Sequence, residues 1–284
     1  MGAPTALNIV KAQYSMVVND LDKDKSTHLL KAGAVWADSA FDAVKGVDIV
    51  MTSLPGPKQV EALAIGTNNI LDNMKKGAIW IDLSTNNLDV MKKMQKQANE
   101  RNIRIMDAPV SGGTEGAADG SLSIYVGGSA ADYDEVKDLL NIIGNDVRHL
   151  GENGAGYVAK IAQVILCYLH SVALSEALML GVKGGVNAGD MLDIIKNSTG
   201  RSYVSNRYGT AILDGTYDPG FTLGLAHKDM GLALNLAKSM GANLPLCEQV
   251  EDIYARAVQK YGFDRNHLMA VKLLEDDNGK DLRG

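Results

Sequence analysis

The sequence has 284 residues, which predicts two domains or one large one, because domains commonly hold about 100–200 residues. Its net charge is −6, which argues against a nucleic-acid-binding protein, since such proteins normally carry a basic surface. Two cysteines without C-x-x-C spacing exclude a disulfide scaffold, and five histidines without H-E-x-x-H spacing make a metal site improbable. No uninterrupted apolar run of about 18 residues and no signal peptide occurs, so we expect no membrane association and a cytoplasmic location.

The first half of the chain alternates between two hydrophobic periods. Helical patterns lie at residues 22–31, 58–65, 88–100 and 131–143. Strands are predicted at residues 14–18, 47–54, 78–83, 103–106, 122–126 and 147–150. This alternation predicts βαβ units and a mainly parallel sheet. Asp82, Asp107 and the Leu54-Pro55 pair follow strands, and ligands of open α/β sheets bind at the carboxyl ends of strands, so these residues border a candidate site.

The second half is predicted to be entirely helical. After the Gly-rich residues 151–156, one apolar helical pattern covers residues 157–182 and is predicted to be a core or dimer helix. Shorter helices are predicted at residues 188–196, 205–213, 225–240, 245–260 and 267–274. We therefore expect two domains, residues 1–151 and residues 152–284.

The start of the chain resembles part of a nucleotide-binding unit. A predicted helix at residues 3–11 precedes the strand that ends at Asp20. This order is typical of the second half of a dinucleotide-binding βαβ unit, whose acidic residue binds the ribose hydroxyls. Asp20 suits NAD, because its carboxylate would repel the 2′-phosphate of NADP. The first strand and most of the G-x-G-x-x-G turn would precede Met1, with Gly2 as a remnant, so we expect a shortened form of a longer product.

Two segments could carry chemistry. Ser111, Gly112 and Gly113 lie in a Gly-rich run after a strand, where backbone N–H groups and a hydroxyl can bind a carboxylate. The alternative is an ordinary turn. Lys160 stands near the start of the long apolar helix, where burial would disfavour its charged form and make it a usable acid or base. The alternative is a lysine that extends to the surface.

Two further cationic positions are less distinctive. Lys228 and Asp229 lie on a helical pattern and could equally form a solvated charged turn. Arg201 lies in a Gly-containing loop, where it could bind a carboxylate ligand or a surface aspartate.

Four segments in this order resemble the β-hydroxyacid dehydrogenases, the group of 3-hydroxyisobutyrate dehydrogenase, tartronate semialdehyde reductase and 2-(hydroxymethyl)glutarate dehydrogenase. The resemblance covers nearly the whole chain. The matching segments are Met1-Gly2-Ala3-Pro4 with Asn8 and Lys11-Ala12, residues 107–122, Gly154-x-Gly156-x-x-x-Lys160, and Lys228-Asp229.

The resemblance implies an α/β Rossmann-type N-terminal domain that binds the dinucleotide and an all-α domain for substrate binding and dimerisation. It implies an oxidoreductase that interconverts a small 3-hydroxy acid and its semialdehyde with NAD, as a homodimer or homotetramer. Lys160 would be the general acid/base. The other implied site residues are Ser111, Gly112, Gly113 and Lys228 for the carboxylate substrate, and Gly2, Asp20, Leu54, Pro55, Ser84, Thr85 and Lys228 for the cofactor.

One position departs from the family pattern. Val164 stands where the family usually has an asparagine, so a polar substrate contact is either lost or moved to Gln163 or His170. Two rivals remain at this stage: a truncated, non-catalytic paralogue that keeps the helical domain, and a decarboxylating dehydrogenase of the phosphogluconate type, for which the chain is short.

Overall fold

The computed structural model describes residues 1–65, 69–218 and 220–283. The chain forms two compact units, Met1–Lys160 and Ile161–Gly284. The first unit combines strands and helices, and the second is helical, as predicted. The division falls inside the long helix, so a domain boundary at residues 151/152 stays a prediction.

The strands of the first unit are short and form two sheets. They are β1 (Val17–Val18), β2 (Val35–Trp36), β3 (Ile49–Thr52), β4 (Ile79–Asp82), β5 (Arg104–Asp107), β6 (Val110–Ser111), β7 (Leu122–Gly127) and β8 (Gly144–Gly151). A parallel pair, β1 and β2, forms the small sheet. The large sheet begins β3-β4-β5, all parallel, and continues to β7, which is antiparallel to β5 and β6 and parallel to β8. The sheet is therefore mainly parallel, as predicted.

Register places three polar residues in one row across the large sheet. Thr52, Asp82 and Asp107 are the last residues of β3, β4 and β5, and they pair in that order. Because the strands are parallel, their carboxyl ends share one edge. This row is the structural base of the candidate site.

Helices cover the strands of the first unit. They are α1 (Gly2–Lys11), α2 (Thr27–Lys31), α3 (Ala40–Ala43), α4 (Pro57–Ile65), α5 (Leu88–Glu100), α6 (Gly113–Asp119) and α7 (Ala130–Ile143). Side-chain caps define two of their starts: Asn87 accepts the Val90 N–H at 2.8 Å, and Ser129 accepts the Asp132 N–H at 3.1 Å. Such caps pair N–H groups that have no partner within the helix.

Helix α1 packs on both sheets. Its Ile9 belongs to the apolar cluster of the large sheet, and its neighbour Val10 packs with Val18 of β1. Across residues 1–65 and 69–160, no strand pairs with both β1 and β3. The doubly wound order places a strand at this point.

The second unit consists of helices around one apolar core. Helix α8 (Ala155–Lys183) crosses the division between the units, and α9 (Ala188–Lys196), α10 (Tyr203–Leu213), α11 (Leu223–Met240), α12 (Pro245–Tyr261) and α13 (Met269–Asn278) follow. Within residues 161–218 and 220–283, the structure has no strand longer than the isolated bridge between Thr222 and Asn266. The prediction of an all-helical second half is confirmed.

Helix α8 is unusually apolar. Its most apolar 18-residue window has a mean hydropathy of 1.7, so by length and composition alone this helix could cross a membrane. Of that window, 39% is buried in the chain. Core helices of globular proteins have the same length and composition, so the expectation of no membrane association stays a prediction.

Candidate active site

A buried hydrogen-bond network surrounds Asp82 at the end of β4. Its carboxylate is 0% exposed and accepts the hydroxyls of Thr52 at 2.8 Å and Ser84 at 2.6 Å. The hydroxyl of Tyr157, on α8, donates to its other oxygen. Burial and this carboxylate raise the pKa of Tyr157 well above its usual value, so the phenol keeps its proton and acts as a donor.

Asp107, the next residue in the row, holds the start of α8. Its Oδ1 accepts the N–H of Gly154 at 2.7 Å, and its Oδ2 accepts the N–H of Tyr157 at 3.0 Å. These are N–H groups that a helix start leaves without partners. Burial raises the pKa of Asp107, while these N–H donors act in the opposite direction. The carboxylate thus replaces a conventional cap residue.

Glycine is required where α8 approaches the sheet. A Cβ on Gly156 would lie 2.1 Å from the carbonyl oxygen of Tyr125 and 2.8 Å from Oδ2 of Asp107. A Cβ on Gly127 would lie 2.6 Å from Oδ1 of Asp107. The two glycines therefore let backbone enclose the Asp107 carboxylate from two sides.

Lys160 lies one turn further along α8. It is three positions after Tyr157, so the two residues are neighbours on the helix surface. Lys160 is 9% exposed, which contradicts the alternative of a lysine that extends freely to the surface. A cation buried to this degree at an apolar helix start is a candidate for a chemical role.

The Gly-rich segment joins β6 to the short helix α6. Ser111 ends β6 and is half-buried, whereas Gly112 and Gly113 are exposed. Both glycines have positive φ, +132° and +66°. A Cβ on Gly112 would in addition lie 3.2 Å from Leu122, so the backbone requires glycine there. The segment presents backbone to solvent and can bind a small anion.

Two loops predicted to contact the cofactor are joined at the strand ends. The N–H of Leu54, after β3, donates to the Ser84 hydroxyl at 2.9 Å, and Ser84 follows β4. Pro55 is exposed and Thr85 is half-buried in these same loops. The structure therefore brings Leu54 and Ser84 together, directly above the Asp82 carboxylate.

Gly2 and Asp20 lie at the ends of α1 and β1. Gly2 is the first residue of α1, and a Cβ there would lie 3.4 Å from the Cβ of Ser53, at the end of β3. Asp20 is exposed after β1 and accepts the N–H of Asp22 at 2.9 Å. The start of α1 thus borders the same sheet edge as the Leu54 loop.

The remaining predicted residues lie in the second unit. Asp229 on α11 is 2% exposed and accepts the Tyr168 hydroxyl at 2.8 Å, and Lys228 Nζ lies 3.1 Å from its other oxygen. The alternative of a solvated charged turn is therefore wrong. Val164 packs against the core of this unit, while its neighbour Gln163 is half-buried.

The structure also places two further side chains that the sequence analysis considered. Arg201 is exposed in the loop before α10, and His170 is half-buried on α8. In residues 1–65, 69–218 and 220–283, no group of three or more His, Cys, Asp or Glu side chains is placed to hold a metal ion. The sequence analysis did not identify the buried hydrogen-bond network around Tyr157, whose only signal in the sequence is a polar atom in an apolar helix.

Family models and relatives cover the whole chain. Residues 1–151 match the NAD-binding domain of 6-phosphogluconate dehydrogenase, and residues 154–274 match the NAD-binding domain of NADP-dependent 3-hydroxyisobutyrate dehydrogenase. The 2-(hydroxymethyl)glutarate dehydrogenase of Eubacterium barkeri is 35% identical over 286 residues, covering 100% of this chain and 95% of the relative. The NAD-dependent L-serine dehydrogenase of Pseudomonas aeruginosa is 34% identical and covers 99% and 96%.

A solved structure has the same architecture. The 3-hydroxyisobutyrate dehydrogenase of Mycobacterium tuberculosis, in a structure with L-serine, aligns with a TM-score of 0.86 and 27% identity, covering 96% of this chain and 95% of the other. The match confirms the Rossmann-type sheet followed by a helical domain. Two family models and relatives that match along their full length show the family of this chain, and the buried Lys160 is consistent with it. The chain therefore belongs to the β-hydroxyacid dehydrogenase family.

Proposed function

We propose that this enzyme interconverts a small 3-hydroxy acid and its semialdehyde with NAD, and that Lys160 is its general acid/base. The observation that carries the proposal is the position of Lys160, which is 9% exposed on α8. It lies one turn after Tyr157, which donates hydrogen bonds to the buried carboxylates of Asp107 and Asp82. Relatives that match along their whole length are dehydrogenases, and this gives no support to a non-catalytic paralogue.

The residues at the sheet edge fit a nicotinamide dinucleotide. Asp20 offers a carboxylate that can accept hydrogen bonds from ribose hydroxyls. Gly2 and Ala3 offer backbone N–H groups at the start of α1, where a helix favours an anion such as a pyrophosphate. Leu54, Pro55, Ser84 and Thr85 would line the cofactor at the ends of β3 and β4.

The substrate carboxylate would be bound by the Ser111 hydroxyl and the N–H groups of Gly112 and Gly113. The positive φ of both glycines allows neighbouring N–H groups to converge on one anion. Lys228 is the further substrate-binding residue that the family resemblance implies, and Gln163 is proposed to replace the family asparagine that is absent at Val164. The Nζ atom of Lys228 lies 3.1 Å from Oδ1 of Asp229, and this ion pair restricts the position of the lysine side chain.

Lys160 would move a proton at the substrate oxygen. When bound, the nicotinamide ring supplies the site that gives or takes the hydride. During oxidation the amine of Lys160 accepts the proton of the substrate hydroxyl. During reduction its ammonium returns that proton to the aldehyde oxygen. Because the side chain is largely withdrawn from water, it exchanges the proton with substrate rather than with solvent.

The test is a comparison of Lys160→Ala with Lys92→Ala. We expect Lys160→Ala to lower kcat by about 10²–10⁴, the usual contribution of a general acid/base. Lys92 is an exposed lysine on α5, so its variant should keep the wild-type kcat. Activity is measured as NADH formation with 3-hydroxyisobutyrate, L-serine and 2-(hydroxymethyl)glutarate.

Both variants should keep the wild-type unfolding temperature, because alanine is favoured in helices. Near wild-type turnover by Lys160→Ala would refute the assignment of the acid/base. No NAD reduction by the wild-type enzyme with any small 3-hydroxy acid would refute the activity itself. We further propose a homodimer or homotetramer and a cytoplasmic location.

A further inference from the structure

We propose that Asp107 and Asp82 are positioning residues for Lys160, and that they act together by holding Tyr157. The inference rests on the proposed role of Lys160. Asp107 accepts the backbone N–H of Tyr157, whereas Asp82 accepts its hydroxyl. One residue is thus fixed at its backbone and at the end of its side chain, by carboxylates from neighbouring strands.

The burial of these groups argues for a tightly held contact. Asp82, Asp107 and Tyr157 are each 0% exposed. A buried carboxylate is costly unless several donors compensate for its lost hydration. Here Asp107 receives the N–H groups of Gly154 and Tyr157, and the positive end of α8 adds a favourable electrostatic contribution.

The contact tolerates little displacement. Gly127 and Gly156 flank the Asp107 carboxylate so closely that a Cβ on either would lie within 2.8 Å of it. The first turn of α8 therefore cannot slide toward or away from β5 without breaking a hydrogen bond or making a clash. Asp82 adds a second fixed point at the Tyr157 ring.

The position of the Lys160 backbone depends on the position of this first turn of α8. A helix rises about 1.5 Å per residue, so the Lys160 backbone lies about 4.5 Å along the axis from Tyr157. A shift of about 1 Å in catalytic geometry can cost about 10² in rate. Removing either carboxylate contact should therefore lower turnover without removing any group that binds substrate or cofactor.

The experiment uses Asp107→Asn and Tyr157→Phe in the full chain. Asparagine keeps the size of Asp107 but turns an NH₂ group toward an N–H donor. Phenylalanine keeps the buried ring and removes the hydroxyl that donates to Asp82, so this variant is expected to fold even if Asp107→Asn does not. Ser129→Ala is the matched control, because it removes the cap of α7, which lies outside the Tyr157 network.

We expect both test variants to lower kcat by about 10- to 100-fold, consistent with a loss of geometry, with KM for NAD and for the acid changed by less than about threefold. Ser129→Ala should lower the unfolding temperature and leave kcat unchanged. If the test variants lose stability but keep the kcat of Ser129→Ala, the two carboxylates are merely structural and the inference is overturned.

A second readout does not depend on activity. Lysines are reductively methylated with ¹³C, and the Lys160 resonance is assigned by its loss in Lys160→Arg. We expect both test variants to change the pH at which this resonance titrates, because a displaced first turn of α8 changes the surroundings of the Lys160 amine. An unchanged Lys160 titration in both test variants would overturn the positioning role. If the titration moves while wild-type protein oxidises no 3-hydroxy acid, the positioning role stands and the proposed function fails.

Discussion

His267 should make the stability of this protein fall steeply below neutral pH. The imidazole is 1% exposed in the second unit, among the rings of Tyr168, Tyr208, Phe221 and Tyr254 at centroid distances of 5.5–6.5 Å. Its Nδ1 lies 3.3 Å from the Tyr254 hydroxyl. Burial among these rings lowers the pKa of His267 from 6.5 to about 3.

The magnitude follows from proton linkage. The folded chain keeps His267 neutral until about pH 3, whereas the unfolded chain protonates it below about pH 6.5. The contribution to stability is therefore intact above pH 6.5 and is lost as the pH falls toward 3. The full loss is about 5 kcal/mol, and about 3 kcal/mol of it is lost by pH 4, at about 1.4 kcal/mol per pKa unit. This is a large fraction of the stability of a typical domain.

The assay is urea unfolding of wild type and His267→Gln at several pH values between 7 and 4. Glutamine fits a similar volume and does not titrate, so the variant should lose about 3 kcal/mol less than wild type over this range. The raised pKa of Asp107 changes the free energy of unfolding with pH in the opposite direction to His267. Such carboxyl contributions are the same in wild type and His267→Gln, so they cancel when the two proteins are compared. The control is His28→Gln, which removes an exposed histidine that is hydrated in both states. Parallel pH dependences for wild type and His267→Gln would refute the reasoning.

Two predictions concern specificity. Asp20→Ala should reduce the preference for NAD over NADP by at least about tenfold in kcat/KM, since the carboxylate that repels a 2′-phosphate is gone; a wild-type preference for NADP would contradict the cofactor assignment. Val164→Asn should change the ranking of 3-hydroxy acids by kcat/KM more than it changes the highest kcat, because an amide is added beside Gln163. An unchanged ranking would show that this position does not contact substrate.

The strongly patterned elements could be predicted from sequence, and two of the three two-residue strands could not. All six predicted strands and the long helices exist. They could be predicted because an element that is buried on one or both faces has apolar residues at a regular spacing. Strands β2 (Val35–Trp36) and β6 (Val110–Ser111) have two residues each, too few for any period. They exist because β1 and β7 offer them backbone partners, which only the tertiary structure supplies.

Helix ends also followed tertiary rather than local rules. A helix was predicted at residues 267–274, but α13 runs from Met269 to Asn278. His267 instead lies next to the isolated bridge between Thr222 and Asn266, and its backbone N–H donates to the carbonyl oxygen of Phe221 at 2.9 Å. At the other end, Glu275 is buried and paired with Arg283, so the helix continues past its predicted end inside the core.

The candidate site divides in the same way. The motifs around Ser111, Lys160 and Lys228 could be found because their spacing is local. The aspartates that end β4 and β5 could be recognised as bordering a site. Their partner Tyr157 could not, because its hydroxyl donates to a carboxylate 75 positions earlier in the chain, a contact that only the tertiary structure creates.

The strand-end row links the two halves of the proposed chemistry within the first unit. Asp82 accepts the Ser84 hydroxyl, which in turn accepts the N–H of Leu54, so the loops proposed to line the cofactor rest on this carboxylate. The same carboxylate accepts the hydroxyl of Tyr157, one turn before Lys160. The two sets of contacts use different oxygens of this carboxylate, Oδ1 for Ser84 and Oδ2 for Tyr157. A single buried charge therefore sets the geometry of the cofactor loops and of the helix that carries the proposed acid/base, and it can do so only because parallel strands end in register.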